Sequence, residues 1–287
     1  MFNILKTFIF LALLSILFIV VGNLIGGKPG MTVALVMALV MNLIAYFFSD
    51  KIVLATTGAI PVEREKDPEL HNIVEEVARK ANIPKPKVYL IPVETPNAFA
   101  TGRNPENGVI AVTIGLRKLL TSEELKGVIA HEIAHIKNRD ILISTIAAVL
   151  VGAITYLAYM AQWALMFGGL RRDDEESGNP LGFIATLIAI IIVPIAATLI
   201  QLAISRSREY LADETGAKTI KNPVALAKAL EKLENWNRAY PIDVNPAHAQ
   251  MYIVNPLSSK SIFKLFSTHP PIDERIARLM KMAKEGI

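Results

Sequence analysis

The chain has 287 residues, of which 52% are hydrophobic and only 20% charged, a composition that excludes an ordinary soluble protein and predicts membrane segments. It contains no cysteine, which excludes disulfides and cysteine metal ligands. The formal net charge is +4; we attribute it to basic residues at one membrane face and expect no nucleic-acid partner, because no nucleic-acid-binding motif is present.

Two uncharged runs open the chain, at residues 7–27 and 29–49. Each reaches the roughly 20 residues that a helix needs to cross a bilayer. Lys6 precedes the first run, so a signal peptide is an alternative. That run is long for a signal peptide and the second run follows at once, so we interpret it as a retained membrane anchor.

The polar stretch that follows, residues 50–140, has mixed secondary-structure signals. Helical periodicity covers 69–81 and stops before Pro84. Two β-rich stretches, 87–93 and 109–114, predict strands. The turn-forming residues 102–108 lie between them and favour a hairpin.

The next predicted helix carries the most informative motif of the chain. A capping box at residues 121–124 begins it, and we expect it to end near Asn138. Within it lie His131 and His135, which share one helix face and can bind one Zn²⁺. Glu132, about 100° further round, can act as a general base on a metal-bound water. This spacing indicates metal-dependent hydrolysis, most often of peptide bonds.

Two further uncharged runs, at 141–170 and 177–205, are also long enough to span a bilayer. A buried helical hairpin in a soluble core is the alternative, which their length disfavours. Lys and Arg residues near the membrane ends concentrate on the side of the amino terminus. The positive-inside rule therefore predicts that both termini and the histidine motif face the cytoplasm.

Glu209 is the best candidate for a third metal ligand. If the last two runs are adjacent antiparallel helices, their cytoplasmic ends bring Glu209 and the histidines to similar depths. Two histidines and one glutamate leave one position for water, as in catalytic zinc sites. Asp213, one helical turn later, could accept the free imidazole N–H of a ligand. An exposed charged helix is the alternative for both residues.

The remaining helices are predicted to begin at Asn222-Pro223 and to cover about 271–285. A developing oxyanion needs a further hydrogen-bond donor. Tyr210, His248, His269 and Arg275 are all candidates, and the sequence does not rank them.

Four motifs carry a resemblance to a known family: P-N-A-F-A-T-G at 96–102, H-E-I-A-H at 131–135, S-R-x-R-E-Y-x-A-D at 205–213 and F-S-T-H-P-P at 266–271. The sequence resembles the HtpX-type membrane zinc metalloproteases, which are gluzincin-like and related to the CAAX prenyl-protein endopeptidases. The resemblance covers nearly the whole chain.

The resemblance implies that His131, His135 and Glu209 hold one Zn²⁺ per subunit and that Glu132 is the catalytic base. It implies an ATP-independent endopeptidase acting in stress response and quality control of misfolded or damaged membrane proteins. It also suggests that Asn97, Ala98, Phe99 and Ala100 bind an extended substrate, with an ordinary turn as the alternative. His269 is similar to a family residue near the site, unless it only caps the last helix.

We therefore expect a mainly α membrane protein with four transmembrane helices and an α+β zincin-like cytoplasmic domain. Residues 1–49 would form two of these helices and 141–205 the other two, while 50–140 and 206–287 would form the catalytic domain. The expected protein is a multi-pass enzyme of the cell membrane whose partners are the lipid bilayer and protein substrates. A prenyl-protein endopeptidase and a non-catalytic zinc-binding scaffold are the alternatives.

Overall fold

The computed structural model of the protein describes residues 2–142, 206–241, 252–253 and 270–287. The runs predicted at 141–170 and 177–205 lie outside the described residues, apart from Ile141 and Leu142. His248 and His269 also lie outside them. The last two predicted membrane crossings, and with them the arrangement of four crossings and the proposed domain boundaries, therefore remain predictions.

The first element, α1 (Phe2–Thr56), contains a chain reversal. A straight helix would separate Ser15 and Asn42 by about 40 Å, yet the Asn42 Nδ2 donates to Ser15 Oγ at 2.8 Å. Gly27 has a left-handed φ of 57°, which allows the chain to turn back there. Among the described residues, one helix, Gly27–Phe48, has the length and apolar composition needed to cross a membrane. Its large apolar side chains are exposed, including Val33 and Leu43.

The remaining described elements follow α1 along the chain. They are β1 (Ile60–Pro61), α2 (Pro68–Ala81), β2 (Lys87–Ile91), β3 (Ala98–Thr101), a 3₁₀ turn (Pro105–Asn107), β4 (Val109–Thr113), α3 (Ile114–Leu119), α4 (Ser122–Lys137), α5 (Arg206–Ile220), α6 (Pro223–Ala239) and α7 (Ile272–Lys284). The helices predicted near 69–81, 121–138, 222–233 and 271–285 are thus confirmed.

Local capping explains where these helices begin. The carboxylate of Asp67 accepts from the N–H of Leu70 at the start of α2. At α4 the predicted capping box is present, since Thr121 and Glu124 each accept a backbone N–H from the other residue. At the start of α6 the Asn222 side chain accepts from the N–H of Ala225.

The sheet corrects one expectation. Its strand order is β1-β2-β4-β3, and β2 runs parallel to β4, so these two strands do not form a hairpin. The turn at 102–108 instead joins β3 to β4, which are antiparallel. The reason is that Ala98–Thr101, which overlaps the stretch 97–100 expected either to bind substrate or to be a turn, forms a separate strand at the edge of the sheet.

The core lies between one face of the sheet and the helices. Apolar residues of α2, α4, α6 and α7 form one buried cluster against that face. On the other face, Val53 and Leu54 at the end of α1 pack with Phe99 of β3 and with residues of β2 and β4. The end of the helix that contains the membrane-length segment therefore packs directly on the edge strand of the sheet.

Candidate metal centre

The two histidines of α4 point into the protein. His131 is only 2% exposed, and its Nε2 lies 3.1 Å from the Nε2 of His135. Helix α5 approaches them closely at Gly216, where an added Cβ would lie 2.8 Å from the carbonyl carbon of Ala130 and 2.9 Å from the nitrogen of His131. A side chain would hold the helices apart, so Gly216 allows α5 to bring its charged face to the histidines.

Glu209 of α5 completes the group. Its Oε2 lies 3.6 Å from His131 Nε2 and its Oε1 lies 3.5 Å from His135 Nε2. One donor atom from each of the three side chains lies within 4.8 Å of the others. Ligand atoms about 2.0–2.1 Å from a tetrahedral zinc are roughly 3.3 Å apart. These spacings and the donor types therefore fit a divalent cation bound by two histidines and a carboxylate.

Each histidine is oriented from behind through its other nitrogen. Asp213 Oδ1 lies 2.8 Å from His131 Nδ1, and Asp140 Oδ2 lies 3.0 Å from His135 Nδ1. Both contacts leave Nε2 directed at the centre, as bonds from carboxylates to metal-binding histidines do. Asp213 lies where its spacing from Glu209 predicts.

Asp140 was missed by sequence reasoning, because it stands at the boundary of the third apolar run. After α4 ends, Arg139 adopts a left-handed φ of 58°. The chain then turns back, and the Asp140 N–H donates to the carbonyl of His135 at 3.3 Å. The only signal in the sequence is an acidic residue just after the motif helix, which predicts no contact by itself.

Arg275 of α7 lies behind Asp213 and is completely buried. Its Nε and Nη2 both donate to the Asp213 carboxylate at 2.8 Å. Its Nη1 donates to the Ile253 carbonyl at 3.0 Å. Burial alone would raise the pKa of Asp213, but the Arg275 guanidinium outweighs it and holds that pKa below its usual range. Arg275 is therefore fully engaged inside the protein.

These contacts give no support to Arg275 and Tyr210 as oxyanion donors, and that role stays a prediction, whereas the contact of Arg275 with Asp213 fits a supporting role behind the histidines. The guanidinium of Arg275 faces Asp213 and Ile253 and has no exposed surface for a substrate. The Tyr210 hydroxyl donates to Glu274 of α7, and its ring lies under Arg278, whose Cζ is 3.6 Å from the ring centroid. Both residues connect α5 to α7 instead.

Glu132 lies beside the histidines and is 5% exposed. Burial raises the pKa of its carboxyl, against the opposing effect of the two histidines. The backbone N–H of Ala100 donates to its Oε2 at 2.7 Å. The edge strand β3 and the motif helix are thus joined at the residue that the sequence predicts as the base.

The four residues of the predicted substrate-binding stretch do not all face the site. Phe99 packs into the apolar cluster under the sheet, and Ala98 is buried. The side-chain Oδ1 of Asn97 accepts from the Ile253 N–H at 3.2 Å. Only the backbone of Ala100 reaches Glu132, so the contribution of β3 to the site is made through its main chain.

The electrostatics of the centre favour a cation. Burial lowers the pKa of His135, but Asp140 outweighs it, and together with Glu209 and Glu132 it raises that pKa to about 10. The negative charges that stabilise a proton there also stabilise a divalent ion. Arg208, another residue that the sequence did not single out, is nearly buried close to Asp140 and Glu209.

Comparison with known proteins agrees with this geometry. The model of peptidase family M48 matches residues 64–283. This chain belongs to peptidase family M48. Two relatives, each named Protease HtpX homolog, come from Thermodesulfovibrio yellowstonii and Pyrococcus furiosus. They are 60% and 55% identical over 98% of this chain and over 98% and 96% of their own lengths.

The solved structure of S. mikatae Ste24p is similar at a TM-score of 0.50 and 20% identity, over 85% of this chain and 56% of that chain. This chain thus spans little more than half the length of Ste24p, and the likeness shows the fold alone. The M48 family and the relatives identify the protein as a metalloprotease, a hydrolase. A metal is therefore implied, and His131, His135 and Glu209 form a group that could hold it.

Proposed function

We propose that the protein is a membrane-bound, zinc-dependent endopeptidase that hydrolyses peptide bonds of misfolded or damaged membrane proteins. One observation carries the proposal: three metal-binding side chains converge beside a buried glutamate that also contacts an edge strand. The metal group supplies hydrolytic chemistry, and the strand supplies a place for a polypeptide.

We assign His131, His135 and Glu209 as the zinc ligands. Two imidazoles and one carboxylate are a ligand set of catalytic zinc sites, which keep one position open. When bound, zinc would supply a Lewis acid that activates water and polarises the scissile carbonyl. Asp213 and Asp140 would hold the two imidazoles in the tautomer that presents Nε2.

We assign Glu132 as the general base and acid. Its raised pKa suits a carboxyl that accepts a proton from water and returns it to the leaving amine near neutral pH. Its hydrogen bond from Ala100 orients the carboxylate relative to the strand. The proton therefore moves at a fixed position beside any chain that binds along β3.

We infer that the substrate binds as an extended strand along β3. The Ala100 N–H points away from β4, so the peptide groups of Ala98 point to the same outer side of the strand. Pairing of this kind recognises backbone rather than particular side chains. Since folded proteins seldom offer an unpaired extended segment, this binding mode favours unfolded regions and is compatible with quality control.

The proposal also includes a multi-pass protein in the cell membrane with its site and termini in the cytoplasm. Its support is the apolar helix Gly27–Phe48 and the distribution of basic residues. No described contact favours the prenyl-protein endopeptidase or the non-catalytic scaffold.

The test compares Glu132→Gln with Glu123→Gln, an exposed position on the same helix. We expect Glu132→Gln to retain stoichiometric zinc and to lose cleavage of an unfolded membrane protein by more than about a hundredfold. Glu123→Gln should match the wild type in both measurements. Cleavage by Glu132→Gln at the wild-type rate would refute the assignment, and zinc-free wild type with full activity would refute the zinc proposal.

A further inference from the structure

The apolar helix of α1 ends in an aromatic group that carries two cations. Tyr46 and Phe47 pack edge to face at 5.0 Å, and Phe47 and Phe48 are each 48% exposed. Lys51 Nζ lies 5.4 Å from the centroid of the Phe48 ring. Aromatic rings beside Lys or Arg at the end of an apolar helix are typical of the interface between bilayer and water.

The second cation comes from another part of the chain. Arg103 lies in the turn between β3 and β4, and its Cζ is 6.0 Å from the centroid of the Phe47 ring. Both Lys51 and Arg103 are exposed. The β3–β4 turn therefore lies at the height where the membrane-length helix ends.

This turn is built tightly. Gly102 has a φ of 129°, and an added Cβ would lie 2.4 Å from the carbonyl oxygen of Asn107. The Asn104 side chain accepts from the Asn107 N–H at 3.0 Å. At the base of the turn, a Cβ on Gly108 would lie 3.2 Å from the Ile136 side chain, next to His135. A ligand of Arg103 would therefore be fixed relative to both β3 and α4.

The aromatic residues at the end of the apolar helix, Tyr46–Phe48, lie a short distance from the edge strand β3. Val53 and Leu54 pack against Phe99 of β3. Val53 is five positions after Phe48, which is about 7.5 Å along a helix. The strand is thus held within a short distance of the end of the apolar helix.

We propose that the β3–β4 turn is a membrane contact, in which Arg103 binds the phosphate of a phospholipid headgroup and holds the edge strand close to the bilayer surface. A guanidinium suits this role because it can donate two parallel hydrogen bonds to phosphate while stacking on an aromatic ring. Asp50 precedes Lys51 in the chain and Glu106 lies in the same turn as Arg103, so the net charge of the two segments is reduced. The contact therefore depends on Arg103 and the Phe47 ring beside it. General electrostatic attraction between a basic patch and anionic lipids plays a smaller part.

A consequence concerns the substrate, and it rests on the proposed function. A peptide that pairs with β3 would run close to the bilayer surface. Segments that emerge a few residues from the membrane can reach it directly, whereas a site on a long tether reaches it at a lower effective concentration. The enzyme then acts preferentially on juxtamembrane segments of unfolded membrane proteins.

The first test measures position and needs no activity. The chain contains no cysteine, so Glu106→Cys in the full chain gives one label in the turn. Arg238→Cys is the control, at a side chain that is 68% exposed on α6. In phosphatidylglycerol vesicles, we expect lipids brominated near the headgroup to quench a fluorophore at 106 at least twofold more than one at 238. Equal quenching at the two positions overturns the proposal. If aqueous iodide fails to quench the fluorophore at 106 both in detergent and in vesicles, the label is shielded by the protein and not by lipid, which also overturns the proposal.

The second test compares Arg103→Gln with Lys118→Gln, which removes another exposed cation that pairs with Glu94 on the domain surface. We expect Arg103→Gln to slow cleavage about fivefold for a site about eight residues from a membrane anchor. The rate for a soluble peptide of the same sequence should stay unchanged, and Lys118→Gln should change neither rate. An equal loss on the soluble peptide would mean that Arg103 acts on the site itself and would overturn the lipid assignment. Wild type inactive on both substrates would contradict the proposed function while leaving the quenching result valid.

Discussion

The two sides of the candidate site are held together by different interactions. On the side of α4, α5 and α7, buried polar side chains contact one another in succession: Arg275 contacts Asp213, Asp213 contacts His131, and His131 contacts Glu209. On the side of β3, the contacts to the site and its neighbours are made mainly by backbone groups, and the side chain of Phe99 packs away into an apolar cluster. The chemistry of the site therefore depends on side-chain identity on one side and on strand geometry on the other.

The largest effect expected on the charged side follows from removing a proposed zinc ligand. Glu209→Gln keeps the size of the side chain but removes its charge. We expect the zinc affinity to fall by more than the roughly 10–100-fold typical of residues behind a ligand. Glu214→Gln is the control, since Glu214 is exposed on the same helix and pairs with Lys218. Zinc titration with a competing chelator measures both, and an unchanged affinity of Glu209→Gln would remove Glu209 from the ligand set.

A smaller effect is expected one step further from the metal. Arg275→Lys keeps the charge but cannot make both hydrogen bonds to Asp213. We expect zinc affinity to fall by about 10–100-fold, with Asp213→Asn showing a similar loss. Arg278→Lys is the control, because Arg278 is exposed on the same helix. If Arg275→Lys lowered the melting temperature but left the zinc affinity of the folded protein unchanged, Arg275 would be a structural residue only.

Much of the charged side could be predicted from the sequence, because spacing on a helix determines which side chains share a face. His131, Glu132 and His135 are four residues apart or fewer, and Glu209 and Asp213 are one turn apart. The capping residues Thr121 and Asn222 were predictable for the same reason. Each of these inferences needs only local geometry.

The other side could not be predicted in this way. The parallel pairing of β2 with β4 depends on residues 98–101 adding as a separate edge strand, which a hydrophobic pattern of four residues does not specify. The contacts of Asp140, Ile253 and Arg275 join segments that are distant in sequence or that follow a left-handed turn. Such contacts depend on tertiary packing, which has no local signature.

A third prediction tests how close the helices must be. Gly216→Ala places a Cβ 2.8 Å from the backbone of Ala130, whereas Gly127→Ala places one 2.6 Å from the nitrogen of Leu226, where α4 meets α6. We expect each substitution to lower the free energy of unfolding by about 1–3 kcal/mol. Only Gly216→Ala should also weaken zinc binding, because it displaces α5, which carries Glu209. Equal zinc affinities for the two folded variants would show that the spacing of α4 and α5 does not control the centre.

The smallest expected effect is on the strand side. Asn97→Ala removes the acceptor for the Ile253 N–H next to β3. Since one net hydrogen bond contributes about 1 kcal/mol, we expect KM for an unfolded substrate to rise about fivefold, with zinc affinity unchanged. Asn235→Ala, at an exposed position on α6, should alter neither. A loss of zinc without a change in KM would mean that the strand and the metal centre are a single unit, and the distinction between the two sides would fail.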